Sequence, residues 1–401
     1  MRRILLIIGF LLVVIGVGSG IYFIFFYTPS EPSGGEKATG TPPGALPISG
    51  ERTFLPGEES GLATGGLSRA QEVASGGITQ IKSVILGDVA GVKATSDKSG
   101  LNYYDRSSGK FYRLDANGEP QELSSKAFFN VTNVSWSGKA DKAILEYPDG
   151  SNIVYNFTNG SQTTLPRHWE KFDFSPSGNQ ITGLSIGIDP NNRWLFTSNA
   201  DGTGAKLIEA LGENADKVQV AWSPNNQVIA FSNTGLSKGF GREQILLIGQ
   251  NKENFRGLIV EGLNFEGKWS PDSSRVLYSV ASPEAQMRPT LWIVNAEGEA
   301  VGSNRKNLGL NTWIDKCTFA DSLNLYCAVP QSLPEGAGLE RGIASDITDR
   351  FFKINLTNGV KTLIAIPEIP INATNLSVSN DGATLFFQDN FRSGVNSIRL
   401  K

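Results

Sequence analysis

One histidine and two cysteines stand in a chain of 401 residues. An imidazole-based hydrolytic triad would have to use His168, and a zinc site of several nitrogen and sulfur ligands would consume His168, Cys317 and Cys327 together. His168 falls in LPRHWEKF, between two expected strands, and reads as a surface or hydrogen-bonding residue. Basic blocks are absent as well. Lys and Arg number 36 against 39 Asp and Glu, for a net charge of −3, which argues against nucleic acid as a partner. The one string reminiscent of a calcium loop, DANGE at 115–119, has too few acidic positions and the wrong length. No metal site and no cofactor are expected.

Glycine, by contrast, is plentiful at 45 residues, and many Asn, Ser and Asp accompany it. This is the vocabulary of frequent tight turns. The chain opens MRRILLIIGFLLVVIGVGSGIYFIFFY, two arginines followed by a run without charge to Tyr27. Such a run exceeds the ~20 helical residues that span a bilayer and the ~7–15 of a cleaved signal sequence. Residues 1–3 are therefore expected to be cytoplasmic and 4–27 to form an uncleaved transmembrane helix. The rest is placed outside the plasma membrane by the positive-inside rule. Gly16 and Gly20 form a GxxxG that suits weak pairing of two such helices. Residues 28–77 are rich in Pro, Gly, Ser, Thr and Glu with no apolar period, and read as a flexible linker.

Residues 78–401 repeat. KWSPDSSRVLYS at 268–279 has relatives in VSWSGKADKAILEY, FDFSPSGNQITGL, VAWSPNNQVIAFS, CTFADSLNLYCAV and LSVSNDGATLFFQ. Their anchors are Trp136, Phe174, Trp222, Trp269, Phe319 and Val378, separated by 38, 48, 47, 50 and 59 residues. Each unit parses as a strand ending on the anchor, a turn, a strand of alternating apolar residues, and two further strands. A strand-rich period of ~40–50 residues predicts a β-propeller. With a first unit at 84–130 the expectation is an all-β, seven-bladed ring of four-stranded antiparallel blades. The last unit lacks a fourth strand, and ITQIKS at 78–83 is expected to supply it, closing the ring.

These repeats resemble those of the TolB-like, WD-repeat-like propellers of the bacterial envelope, on WSPNNQVIAFS, KWSPDSSRVLYS and the following LWIVNAEGE. The resemblance implies the fold and an envelope location. It implies no particular activity, because propellers host binding, scaffolding and catalysis alike.

Asp272, Asn225, Asp321 and Asp381 each occupy the turn of a different unit and read as turn residues, not as a carboxylate cluster. Trp136, Trp222 and Trp269 read as core between blades. Cys317 and Cys327 flank one hairpin, opposite each other on neighbouring strands. A disulfide is expected outside the membrane, with paired buried thiols as the alternative. The seven N-x-S/T strings, among them those at Asn130, Asn156 and Asn372, are attributed to the chain's Asn and Thr content. Two connections, 233–244 and 329–350, far exceed a tight turn, and such loops often bind. Lys238, Phe240, Arg242, Glu340, Arg341 and Asp346 are the candidate binding residues on them. The expected function is non-catalytic binding or scaffolding of a protein or cell-envelope polymer. The alternative is a histidine-independent glycan hydrolase or lyase using carboxylates at the channel mouth.

Overall fold

The computed structural model describes residues 69–95, 100–115, 118–253 and 255–401. The expected cytoplasmic end, the transmembrane helix at 4–27 with Gly16 and Gly20, and the linker up to residue 68 lie outside the described residues. Among the described residues no helix is long and apolar enough to cross a membrane.

Seven antiparallel sheets follow one another along the chain. Their first strands are Val89–Ala94, Asn133–Trp136, Trp169–Phe174, Val218–Val220, Leu263–Trp269, Cys317–Phe319 and Ala373–Val378. First strands touch from blade 1 through blade 4, between blades 6 and 7, and between blades 7 and 1. Hydrogen bonds from Gln219 to Gly267 O and from Lys268 to Cys317 O join blade 4 to 5 and blade 5 to 6, so the sheets close into a ring around a central axis. The seven-bladed propeller read from the repeats is the observed fold.

The repeated string can now be read atom by atom in blade 5. Trp269 ends the first strand, paired with Val276 of the second. Ser270 Oγ donates to Asp272 Oδ1 at 2.6 Å, and the same oxygen accepts the Ser274 amide at 3.1 Å. Asp381 takes the amide of Ala383 at 2.9 Å and Asp321 that of Leu323 at 2.7 Å. Each carboxylate thus closes its own turn by bonding the backbone two residues on. The tryptophans pack between blades. Trp269 is stacked on Phe231 of blade 4 with centroids 5.2 Å apart, and its Nε1 donates to Ala221 O at 3.2 Å. Trp136 meets Phe111 of blade 1 edge-on at 5.5 Å. Such pairs add about 0.5–1.5 kcal/mol each beyond simple burial.

Ring closure differs from expectation in register. Blade 7 is completed by Lys82–Leu86, pairing antiparallel with Arg392–Arg399 from Lys82↔Ser397 to Leu86↔Gly394. Ile78–Thr79 instead pairs parallel with the outer strand Lys361–Pro367 of blade 6. Apolar burial explains the shift. Ile85 is buried in a cluster with Val89, Leu101 and Val395, whereas Ile78 stays exposed. The amino-terminal chain therefore staples blade 6 as well as blade 7. Ordered contact also starts upstream of residue 78: the Ala74 amide donates to Arg399 O at 2.8 Å and the Gly76 amide to Ile364 O at 2.7 Å.

Cys317 and Cys327 face each other across the first two strands of blade 6 and are joined by a disulfide.

Candidate functional site

Antiparallel order divides the ring's connections between two faces. First-to-second and third-to-fourth hairpins turn on one side, here the lower face. Second-to-third loops and the crossings from blade to blade gather on the other, the upper face, where the first strands begin. Both long connections belong to the upper face.

Of the six charged residues on the inner first strands, three, Lys93, Asp173 and Lys268, join blades. Lys93 Nζ, in blade 1, donates to Trp136 O and Ser137 O of blade 2, each at 3.2 Å. Asp173, in blade 3, accepts the Trp222 amide of blade 4 at 2.8 Å. Lys268, in blade 5, donates to Cys317 O of blade 6 at 3.0 Å. Burial pulls the ammonium groups of Lys93 and Lys268 below their ordinary values and pushes the Asp173 carboxyl up. Perturbed groups of this kind can mark a catalytic centre. Here each one bonds the neighbouring blade's backbone, which is a structural use.

The most enclosed ion pair joins blades 6 and 7. Lys316, 2% exposed, donates to Asp349 Oδ2 at 2.7 Å, Asn372 Oδ1 at 2.7 Å and Ala373 O at 2.9 Å. All three ammonium protons have acceptors. Burial shifts both partners toward neutrality, and their mutual attraction opposes it. Asn372 Nδ2 in turn donates to Ser345 O at 2.9 Å, tying the cluster to the long loop of blade 6. Nothing local in WIDKC signals this lysine's role.

At the upper mouth a cavity of about 420 Å³ is lined by Lys171, Asp216, Lys217, Gln219, Phe265 and Glu266 among others. Burial raises the Glu266 carboxyl, with the negative charge of Asp315 adding to the rise and Arg341 opposing it. Among the described residues no three His, Cys, Asp or Glu side chains gather closely enough to hold a metal ion.

The candidate loop residues fall into two groups. Lys238 and Phe240 project from the blade 4 connection, with Phe240 92% exposed. Arg242 begins the next strand and pairs with Glu261 at 3.2 Å. In the blade 6 loop Glu340 accepts the Gly342 amide at 3.1 Å, while Asp346 is exposed. Arg341 pairs with Asp315 at 2.7 Å and lies over the Trp313 ring at 4.7 Å. That loop has its own small core of Trp313, Ala337 and Ala344, so it is a built element.

Apart from Phe240, sequence reasoning passed over the apolar loop residues, because a leucine or isoleucine reads as core. Of the 14 large hydrophobic residues exposed among the described residues, eight lie on upper-face connections: Phe129, Ile188, Leu236, Phe240, Leu339, Ile343, Ile369 and Phe391. Only Leu323 and Val360 lie on lower-face connections; the other four, Ile78, Leu86, Leu207 and Ile259, are on outer strands. Single exposed apolar residues need no explanation, but a bias of this size toward one face does.

No family model and no curated protein matches this chain in sequence. Solved structures do match in shape. An oligogalacturonate lyase in complex with manganese superposes with a TM-score of 0.56 at 11% identity, over 80% of this chain and 93% of that one. The Cps50 (Swd1) β-propeller domain of Myceliophteria thermophila gives 0.53 at 9% identity, over 80% of this chain and all of that domain. An oligogalacturonate lyase from Vibrio parahaemolyticus gives 0.53 at 10%, over 80% and 91%. The likeness is one of fold. A lyase and a Swd1 propeller domain match this ring about equally well, so shape alone assigns it no reaction.

Proposed function

We propose that this chain is a membrane-anchored, extracytoplasmic propeller that binds a protein or cell-envelope polymer through its upper face, without catalysis. The observation that carries this reading is the concentration of exposed apolar side chains on that face. Consistent with it, the buried charged groups of Lys93, Asp173 and Lys268 each bond the backbone of the neighbouring blade. The anchored, envelope-facing placement rests on the apolar run at 4–27 and on the resemblance of the repeats to TolB-like propellers.

The test is affinity capture of full-length protein from its own membranes. Phe240→Ser with Ile188→Ser is expected to lose the bound partner, and Leu323→Ser with Val360→Ser on the lower face to retain it. Equal retention by both variants would refute the reading.

A further inference from the structure

Two buried polar side chains at the junction of blades 6 and 7 stand close enough to react. Lys316 ends the short turn Ile314–Lys316 that leads into blade 6, and Asn372 lies just before the first strand of blade 7. Both are buried, as are Ile314, Cys317, Ile371 and Ala373 around them in the chain. Lys316 Nζ lies 2.7 Å from Asn372 Oδ1. A C=O bond measures about 1.2 Å, so Nζ sits within about 3.9 Å of the Asn372 carbonyl carbon. Attack needs about 3–3.5 Å, which a small rotation of the lysine stem achieves.

The surrounding groups suit attack at that carbon. Asp349 Oδ2, 2.7 Å from Nζ, is placed to take its proton. Asp315, next to Lys316 in the chain, is instead engaged with Arg341 at 2.7 Å. Asn390 Nδ2 donates to Asn372 Oδ1 at 3.2 Å, where negative charge would develop. Asn372 Nδ2, the group that would leave, is held by Ser345 O at 2.9 Å. An ammonium is no nucleophile, so the reactive form is the neutral pair of amine and acid. Burial favours that form: it pulls the Lys316 ammonium down and pushes the Asp349 carboxyl up, against their mutual attraction. Asp349 Oδ1 is buried with no hydrogen-bond partner among the described residues, which penalises the ionised carboxylate further.

We infer that Lys316 and Asn372 join in an intramolecular isopeptide bond, with Asp349 carrying the protons. The ammonium first gives one proton to Asp349. The free amine attacks Asn372 Cγ, and the Nζ–Cγ bond forms. Asp349 passes its proton to Nδ2 and receives the second proton of Nζ. The Cγ–Nδ2 bond then breaks and ammonia leaves. Lys316 ends as a neutral amide N–H and Asp349 as a neutral acid, so no buried charge remains. Because the neutral pair is the minor form, closure follows folding, and chain that has not reacted keeps the ion pair. The bond clamps blades 6 and 7, the two blades that the amino-terminal strands also tie together. It does not depend on what the upper face binds.

The experiment is mass spectrometry of the full chain, held overnight at the temperature of expression and then reduced and denatured. A species lighter than the unlinked chain by one ammonia, about 17 Da, is expected. A succinimide at Asn159-Gly160 or Asn358-Gly359 would lose the same mass, so a tryptic digest locates the loss. Trypsin cannot cut after an acylated Lys316, and the peptide 307–341 should appear joined to 362–392. Lys316→Arg, which keeps a cation beside Asp349, and Asp349→Asn should both lack the joined pair. Only separate peptides 307–316 and 362–392 from wild type would overturn the inference, whether or not the variants fold. So would loss of water, about 18 Da, with 307–341 joined instead to 342–350, the peptide of Asp349. A joined 307–341 and 362–392 persisting in Asp349→Asn would remove Asp349 as the proton carrier.

Discussion

Replacing Lys316 by methionine should unseat the junction between blades 6 and 7. The ammonium group has three acceptors within 2.9 Å and almost no contact with solvent. Methionine fills a similar volume but leaves the Asp349 carboxylate buried with only the Ala373 amide, at 2.6 Å, as a donor. Removing one partner of a buried pair costs about 3–5 kcal/mol. With an unfolding entropy on the order of 2 cal/mol/K per residue over a ring of this size, Tm should fall by roughly 4–7 °C. The double variant Lys316→Met/Asp349→Leu, which removes both charges, should regain most of that loss. Scanning calorimetry of the three proteins decides the matter. A single variant within 1 °C of wild type (an order-of-magnitude criterion), or a double variant less stable than the single, would refute the reasoning.

Other consequences follow from the same physics. The disulfide closes a loop between residues ten apart in sequence, so Cys317→Ala/Cys327→Ala should cost about 3 kcal/mol of stability in chemical denaturation. Thiol labelling of unreduced, denatured wild type should find no free sulfhydryl; two labelled cysteines per chain would contradict the bond. At Asp272 burial alone would raise the carboxyl, but hydrogen bonds led by those from Ser270 and Ser274 outweigh it and hold the group at about 2. Because that lies below the unfolded value of about 3.9, its stabilisation is complete above about pH 4 and is lost as pH falls toward 2. Asp272→Asn should therefore flatten the acid-unfolding curve in that window, and an unchanged curve would count against the turn assignment. Deleting 4–27 should release the chain from membranes resistant to alkaline extraction; full-length chain extracted by alkali would remove the anchor.

The repeat made the ring legible because one strand–turn–strand unit is reused and its aromatic must lie between blades. Trp136, Trp222 and Trp269, buried as the repeat requires, could be placed from sequence alone. Closure was legible in kind but slipped by a few residues. ITQIKS and KSVIL both alternate plausibly, and only the apolar cluster around Ile85 decides which segment faces blade 1. Polar composition hid the ordered stretch before residue 78, where the contacts are backbone hydrogen bonds that no side chain announces. The buried Lys316 pair was invisible for a related reason, since its acceptors lie 33 to 57 residues away. Loop length pointed to the upper face, where most of the exposed large hydrophobic residues among the described residues also lie. It could not separate Phe240, which projects, from Arg341, which is engaged with Asp315 and Trp313.

The asymmetry between the two faces is best tested in living cells, by placing a photoreactive residue at Phe240 and, in a second strain, at Leu323. Both side chains are exposed, at 92% and 51%, and they lie on opposite faces. Irradiation is expected to give a discrete cross-linked product from position 240 and none from position 323. Products from Leu323 alone, or equal yields from both positions, would contradict a propeller that binds through its upper face.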